Sequence, residues 1–213
     1  MSDTTEDAKR GQMVDLGASL FARSLTFGRT GNISVRTGDR ILVTPTGVSL
    51  GALAPDELSV VDLAGQHVDG ARPSKEAFLH AAVYRARPDA GAVVHLHSTH
   101  SVAVSCLADV DPHDVLPPLT AYYVMRVGPL PLLPYHAPGD ASLEPLAEQV
   151  ATDHRAFLLA NHGPVVAGAD LPAAADAVEE LEETARLHLL LRGEKTRPLT
   201  PDQVADLHRR YPS

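Results

Sequence analysis

The stretch Gly91-Ala92-Val93-Val94-His95-Leu96-His97 is a short apolar run that closes on two histidines. A run of this kind predicts a buried strand. Successive strand side chains alternate between two faces, so His95 and His97 should point the same way. Two imidazoles on one strand need only a third ligand from elsewhere to hold a catalytic divalent metal. The pair alone also fits a structural or surface role, because the chain carries 11 histidines.

The apolar spacing on either side of this strand predicts helices and short strands. Helices are predicted over 7–27, 74–87, 98–107, 142–154, 171–191 and 201–210. Strands are predicted over 33–35, 40–44, 60–63, 92–97, 156–160 and 164–168, with extended segments over 117–125 and 130–135. Hairpin-like strand spacing between helices predicts an α/β fold, a three-layer α/β/α sandwich with a central mixed, mainly antiparallel sheet. We expect a single domain over 1–213, with a flexible start over 1–10 and a C-terminal tail helix within 194–213.

Composition narrows the classes of function. The formal net charge of −9 would repel a nucleic-acid backbone, and aromatic residues make up only 4% of the chain, so no nucleic-acid partner is expected. The polar, acidic first residues and the lack of long apolar runs predict a cytoplasmic protein without a membrane partner. The single cysteine, Cys106, excludes an intramolecular disulfide, and its apolar neighbours predict a buried structural thiol.

A second motif, Asn161-His162-Gly163, offers a third imidazole. It follows an apolar strand and precedes a Gly-Pro turn that can expose one side chain at the end of a strand. Together with the His-x-His pair it favours a three-histidine metal site, although a loop histidine bonded to its own turn would show the same motif. We expect seven other histidines to lie on helix faces, caps or polar loops outside the ligand set: His67, His100, His113, His136, His154, His188 and His208.

Glu76 begins the predicted helix that precedes the histidine strand. A carboxylate in a first helical turn is often just a favourable partner of the helix dipole. Beside a divalent ion it can instead be a fourth ligand and, once substrate displaces it, a general acid or base. Three further segments are either ordinary turns or anion-binding sites made of backbone amides and polar side chains: Gly31-Asn32, Thr46-Gly47 and Ser74-Lys75.

Five motifs, in this order and spacing, resemble those of the class II aldolase/adducin family: Gly31-Asn32-Ile33-Ser34-Val35, Val43-Thr44-Pro45-Thr46-Gly47, Pro73-Ser74-Lys75-Glu76, Ala92-Val93-Val94-His95-Leu96-His97 and Asn161-His162-Gly163. The resemblance covers roughly 16–191. It implies one divalent ion per subunit, Zn²⁺ with Mn²⁺ or Co²⁺ as alternatives, held by His95, His97 and His162 with Glu76 as resting ligand and acid/base. It also implies that Gly31, Asn32, Thr46, Gly47, Ser74 and Lys75 hold the substrate phosphate, in a cyclic homotetramer with sites at subunit interfaces.

Within this family, three segments resemble the 3-oxo-tetronate 4-phosphate decarboxylase branch: 98–101, 116–128 and 179–185. That resemblance implies a carbon-carbon lyase that converts a phosphorylated four-carbon sugar acid to dihydroxyacetone phosphate and CO₂ through a metal-stabilised enediolate. The alternatives are a ketose 1-phosphate aldolase such as L-fuculose-phosphate aldolase, ribulose-5-phosphate 4-epimerase and a non-enzymatic adducin-like module. Lys75 and the Tyr122-Tyr123 segment count against the aldolase, and either tyrosine could reach a neighbouring site as an auxiliary donor.

Overall fold

The computed structural model describes residues 3–211, and side chains from residue 6 onward. The strands in this range are β1 (Asn32–Thr37), β2 (Arg40–Val43), β3 (Ser59–Asp62), β4 (His67–Gly70), β5 (Ala92–His95), β6 (Leu132–Leu133), β7 (Ala156–Leu159) and β8 (Gly163–Gly168). In the described range they form one eight-stranded sheet in the order β4-β3-β2-β1-β5-β8-β7-β6. Neighbouring strands are antiparallel except β6 and β7, so the predicted mixed, mainly antiparallel sheet is confirmed.

The helices of the described range are α1 (Asp3–Ala22), α2 (Ala77–Ala86), α3 (Thr99–Ser105), α4 (Ala121–Arg126), α5 (Glu144–Asp153), α6 (Leu171–Leu190) and α7 (Pro201–Arg210). Residues 3–10, predicted to be flexible, form the start of α1, whereas residues 1 and 2 lie outside the described residues. The predicted tail helix is α7, whose N-terminus carries a capping box between Thr200 and Gln203. None of these helices is both long and apolar enough to cross a membrane.

Two layers of helices cover the two faces of the sheet. One face packs against α1, α3, α4 and α6 through a core that includes Met13, Val94 and Leu181. The other face packs against α2 and α5 through a core that includes Leu79 and Val93. Val93 and Val94 therefore face opposite layers, as strand alternation requires, and the three-layer α/β/α sandwich is confirmed.

The structure corrects the predictions for residues 122–125 and for Cys106. Residues 122–125, predicted to be extended, lie in α4, where the Thr120 hydroxyl accepts a hydrogen bond from the backbone N–H of Tyr123 and caps the first turn. Cys106, predicted to be buried, is exposed. It follows the last residue of α3, and its thiol lies 3.4 Å from Nδ2 of Asn161.

Candidate metal centre

Four side chains that can ligate a metal converge where β5, β8 and α2 meet. His95 is the last residue of β5, and His97 follows two residues later. His162 lies in the turn that joins β7 to β8, and β8 is the neighbour of β5 in the sheet. Glu76 is the N-cap residue of α2, which packs on the sheet face that carries Val93 and therefore also His95. The structure thus brings together the four residues that the sequence predicts as ligands.

The distances within this cluster fit a four-coordinate ion. One ligand atom from each of the four side chains lies within 4.8 Å of all the others. Nε2 of His162 is 3.0 Å from Nε2 of His97 and 3.3 Å from Oε1 of Glu76, and Nε2 of His95 is 3.4 Å from Oε2 of Glu76. Ligands bound at about 2.05 Å to a tetrahedral Zn²⁺ would lie about 3.3 Å from one another. The three measured separations therefore match the spacing of ligands around a tetrahedral divalent ion.

His95 is held in the tautomer that a metal ligand needs. Its Nδ1 lies 2.8 Å from the backbone carbonyl oxygen of Pro164. Because a carbonyl can only accept, Nδ1 carries the proton and donates, which leaves the lone pair on Nε2. That Nε2 atom is buried and has no hydrogen-bond partner within residues 3–211. A buried acceptor without a partner is destabilising, and a bound cation would remove the penalty.

Burial sets the protonation of the other ligands. Burial lowers the pKa of His97 to about 3, with further contributions from His95 and His162. Burial and then His95 lower the pKa of His162 to about 4. Burial alone would raise the pKa of Glu76, but the imidazoles of His95 and His162 and a hydrogen bond from Asn32 outweigh it, so its pKa lies below the usual range. Neutral imidazoles and an ionised carboxylate are the forms in which these groups bind metals.

Gly31 and Asn32 border the ligands directly. Asn32 pairs with His95 across β1 and β5, and its Nδ2 donates to Oε2 of Glu76 over 2.9 Å. The Asn32 side-chain amide, predicted to bind a phosphate, is thus hydrogen bonded to Glu76 here. Gly31 has φ +79°, and a Cβ atom at this position would lie 3.0 Å from the backbone oxygen of His95. A glycine is therefore needed at this close approach.

The other two predicted phosphate-binding segments lie next to each other. The backbone N–H of Thr46 donates to the carbonyl of Arg72 over 3.0 Å, which joins the loop after β2 to the segment before α2. Gly47 is exposed, with φ +77° and no atom near the position of a Cβ. The Ser74 hydroxyl accepts a hydrogen bond from the backbone N–H of Glu76. Ser74 therefore adjoins Glu76, and the Thr46 segment is hydrogen bonded to the stretch that precedes it.

A cavity of about 450 Å³ opens beside His97 and His162. The remaining residues of its wall are Phe27, Thr99, Val102, Tyr135, His136, Pro138 and Asn161. Lys75 is exposed and lies beside Gly139, which directly follows Pro138 of the cavity wall. A Cβ added to Gly139 would be 3.2 Å from Cβ of Lys75. The predicted anion-binding segments do not line this cavity, and Lys75 lies beside one of its walls.

The two candidate auxiliary tyrosines differ in exposure. Tyr123 is 2% exposed, and its hydroxyl has no hydrogen-bond partner in the described part of the chain. Burial raises the pKa of Tyr123 well above its ordinary value. Tyr122 is 59% exposed, and its ring centroid is 5.4 Å from the guanidinium carbon of Arg126. Burial argues against Tyr123 as a donor to a neighbouring site, and the role of Tyr122 stays a prediction.

His100 lies outside the ligand cluster and contacts Glu182 on α6. Oε1 of Glu182 accepts from the backbone N–H of His100 over 2.9 Å and lies 2.8 Å from its Nδ1. Oε2 of Glu182 accepts from the backbone N–H and the hydroxyl of Ser101 over 2.9 and 2.7 Å. A carboxylate from α6 therefore caps α3. Since α3 begins two residues after His97, this contact helps to fix the end of the ligand-bearing segment.

A cluster of buried polar side chains next to Glu76 was not predicted from the sequence. Glu76, His80 and Tyr84 recur every four residues and so share one face of α2, while Asn32 and Ser34 share one face of β1. The structure packs these two faces together, and all five residues are buried. The sequence indicates this cluster by polar residues at every fourth position of the otherwise apolar helix α2, together with polar residues at alternate positions of the buried strand β1.

The chain matches the Class II Aldolase and Adducin N-terminal domain family over residues 11–189, and it belongs to this family. Among its relatives, the 3-oxo-tetronate 4-phosphate decarboxylase of Haemophilus influenzae is 50% identical over 207 residues, which cover 97% of this chain and 99% of the relative. The L-fuculose phosphate aldolase of Methanocaldococcus jannaschii is 36% identical, with 84% of this chain and 94% of the relative covered. The crystal structure of YgbL from Escherichia coli matches with a TM-score of 0.92 and 45% identity over 95% of this chain and 99% of the other.

Proposed function

We propose that this chain is a divalent-metal-dependent carboxy-lyase that converts a 3-oxo-tetronate 4-phosphate to dihydroxyacetone phosphate and CO₂. The observation that carries the proposal is the 50% identity, over almost the whole of both chains, to a decarboxylase of that name. Its support in the molecule is the convergence of Glu76, His95, His97 and His162. Three imidazoles and a carboxylate suit a catalytic ion whose carboxylate ligand can be exchanged for substrate.

The substrate has a ketone at C3, in the β position relative to the C1 carboxylate, and a hydroxyl at C2. Cleavage of the C1–C2 bond releases CO₂ and leaves the electron pair of that bond to be delocalised from C2 onto the C3 oxygen. A divalent ion at the cluster supplies Lewis acidity towards the substrate oxygens. C2 then accepts one proton and becomes the hydroxymethyl carbon of the product. The reaction is balanced without an oxidant or a reductant.

Glu76 is the group that delivers this proton to C2: its carboxylate would take the proton up from water once substrate occupies the cluster. Glu76 is 8% exposed, and its carboxylate oxygens lie 3.4 Å from Nε2 of His95 and 3.3 Å from Nε2 of His162, which supports placing C2 of a bound substrate within reach of this carboxylate. Ser74 fixes its backbone and Asn32 fixes Oε2, so the carboxylate is held in a defined orientation. A positioned acid or base of this kind contributes about 10² to 10⁴ in rate.

Lys75 and the three polar segments bind the anionic ends of the substrate. The Lys75 ammonium has no ion-pair partner within residues 3–211 and is available to a carboxylate or a phosphate. Pairing with the departing carboxylate in the ground state would not itself promote decarboxylation, so its contribution there would be to binding. The proposed donors to the phosphate are the backbone N–H of Gly31 and the hydroxyls of Thr46 and Ser74.

Further features of the proposal concern the ion and the assembly. Zn²⁺ is the proposed ion, and Mn²⁺ or Co²⁺ can use the same donors. We also propose a single domain over 1–213 that forms a cytoplasmic, cyclic homotetramer and has no nucleic-acid or membrane partner. Phe27 and Tyr135, 54% and 63% exposed at the cavity, support the oligomer because a neighbouring subunit could cover them.

An assay with four substrate types tests this proposal. The purified, metal-loaded protein is given 3-oxo-tetronate 4-phosphates of both C2 configurations, fuculose 1-phosphate and ribulose 5-phosphate. CO₂ release and dihydroxyacetone phosphate, the latter coupled to a reductase, are measured, and for ribulose 5-phosphate the formation of its C4 epimer is measured as well. We expect turnover of a 3-oxo-tetronate 4-phosphate, and turnover of the ketose phosphates alone would refute the decarboxylase. At saturating metal concentration Glu76→Gln should keep the ion on its three histidines but lose turnover, whereas Glu57→Gln, at an exposed carboxylate, should behave as the wild type.

A ketose 1-phosphate aldolase is the second candidate, favoured by the 36% identity to an L-fuculose phosphate aldolase. The same proton carrier would serve a retro-aldol cleavage, in which an aldehyde leaves in place of CO₂. The fuculose 1-phosphate arm of the assay decides between the two, because aldol cleavage forms an aldehyde and no CO₂.

A further inference from the structure

A line of hydrogen bonds runs from Glu76 into the space between α2 and β1. Nδ2 of Asn32 lies 2.9 Å from Oε2 of Glu76, and Oδ1 of Asn32 is hydrogen bonded to Nε2 of His80. Nδ1 of His80 is 2.7 Å from the hydroxyl of Ser34, which is 2.9 Å from the hydroxyl of Tyr84. His80 and Ser34 are completely buried, and Tyr84 is 1% exposed. The line therefore lies inside the protein and ends at the carboxylate assigned to proton transfer.

The chemistry of each group fixes the direction of every hydrogen bond in this line. An ionised carboxylate only accepts, so the Asn32 atom that faces Glu76 is the NH₂ group, and the atom that faces His80 is the carbonyl oxygen. That oxygen needs a donor, so Nε2 of His80 carries the proton. Neutral His80 then accepts at Nδ1 from the Ser34 hydroxyl, which in turn accepts from Tyr84. All bonds point towards Glu76, and bonds aligned in this way strengthen one another.

His80 is neutral in this arrangement, as the direction of the bonds requires. Burial is the main cause that lowers its pKa to about 3, and the neighbouring His95 adds to it. A neutral imidazole has one donor and one acceptor nitrogen. The neutral imidazole of His80 can therefore donate to Asn32 through Nε2–H and at the same time accept from Ser34 at Nδ1.

We propose that His80 is a positioning residue for Glu76: its Nε2–H selects the orientation of the Asn32 amide in which the NH₂ group holds the Glu76 carboxylate towards the three histidines. An asparagine amide has two orientations of nearly the same shape that exchange its oxygen and nitrogen. In the other orientation the Asn32 oxygen would face the carboxylate oxygen, and two acceptors would oppose each other. The donor on His80 excludes that orientation. The proposal rests on the metal centre and on the role of Glu76 proposed above.

Two variants of His80 separate positioning from folding. In His80→Gln the side-chain NH₂ can occupy the place of Nε2–H and still donate to Asn32. In His80→Asn the shorter amide can replace Nδ1 towards Ser34 but does not reach Asn32. The two variants differ by one methylene, so they are matched in polarity. Leu79→Ala, at the adjacent and fully buried position of α2, controls for lost core stability without a change in these hydrogen bonds.

The first readout is the affinity of the chelator-treated protein for Co²⁺, followed by its visible absorption. Loss of a group that orients a metal ligand lowers affinity or activity by about 10- to 100-fold. We expect a loss of that size in His80→Asn, and affinities within about threefold of the wild type in His80→Gln and Leu79→Ala. In a Glu76→Gln background the further loss caused by His80→Asn should shrink to less than about threefold, because a positioning residue acts through its partner.

The second readout is the exchange of the hydroxymethyl hydrogens of dihydroxyacetone phosphate with D₂O, measured by NMR and expressed per bound metal. It reports proton transfer at Glu76 without decarboxylation.

A loss of at least about tenfold in either readout for His80→Asn, with recovery in His80→Gln, would support the proposal. The proposal is overturned if His80→Asn matches Leu79→Ala in both readouts, if His80→Gln shows no recovery, or if the loss is undiminished in Glu76→Gln. If the wild type turns over none of the assayed substrates, the proposed function fails, and the Co²⁺ titration still decides the role of His80.

Discussion

Acidification should destabilise the folded protein through His80. The imidazole is completely buried, and burial is the first cause that lowers its pKa from 6.5 to about 3. Between these two values the unfolded chain binds a proton that the folded chain excludes. The free energy of unfolding therefore falls as the pH drops below 6.5, and this loss continues to about pH 3.

The magnitude follows from the two pKa values. Between pH 7.5 and pH 5 the unfolded chain gains about 2 kcal/mol from protonation of this one imidazole, while the folded chain gains almost nothing. The assay is urea unfolding at both pH values, in the presence of a chelator, for the wild type and His80→Gln. His97 and His162 titrate in both proteins, so their contributions cancel in the difference. The wild type should lose about 2 kcal/mol more than the variant, which has no imidazole at this position. An equal loss in both proteins would refute the conclusion that the fold keeps His80 neutral.

Three further variants test the metal centre and its supports. His95→Ala should lower divalent-metal affinity by at least about 100-fold and abolish turnover, measured by metal analysis of the purified protein; full retention of metal would contradict its role as a ligand. Gly163→Ala places a Cβ 2.2 Å from the backbone oxygen of Leu96 and should cost about 1–3 kcal/mol of stability in urea unfolding, whereas Gly11→Ala, within α1 and with no atom within 4 Å, should stabilise the protein by up to about 1 kcal/mol. Glu182→Ala leaves two backbone amides of α3 without their acceptor and should cost about 2–3 kcal/mol, and an unchanged urea midpoint would exclude this cap.

Much of the candidate site could be predicted because it depends on rigid local geometry. Alternation along a strand places His95 and His97 on the same side whatever the rest of the fold does. The turn around His162 is equally local, since Asn161 takes the left-handed conformation at φ +57° that asparagine tolerates. The convergence of the two motifs then needs only that β5 and β8 are neighbours. The family resemblance implied that the three histidines meet at one ion, which spacing alone does not give, and the strand order itself was not predicted.

The remaining features depend on contacts between distant segments. The Asn32–Glu76 hydrogen bond joins residues 44 positions apart, and it requires a particular register of α2 on β1. The cap of α3 comes from Glu182, 81 residues after Ser101, so the sequence around α3 carries no sign of it. Residues 122–125 have strand-like composition but lie in the six-residue helix α4, because the Thr120 cap and packing against α6 and α7 outweigh local propensity.

The hydrogen bond from Nδ1 of His95 to the carbonyl of Pro164 also has a consequence for the order of folding. It spans 69 positions of the chain and joins β5 to β8, which are neighbouring strands in the interior of the sheet. The imidazole acquires its ligand tautomer and meets His162 only after this long loop has closed. A metal ion that needs both His95 and His162 would therefore bind after these two strands have paired. Bound metal should slow unfolding strongly and leave the refolding rate almost unchanged.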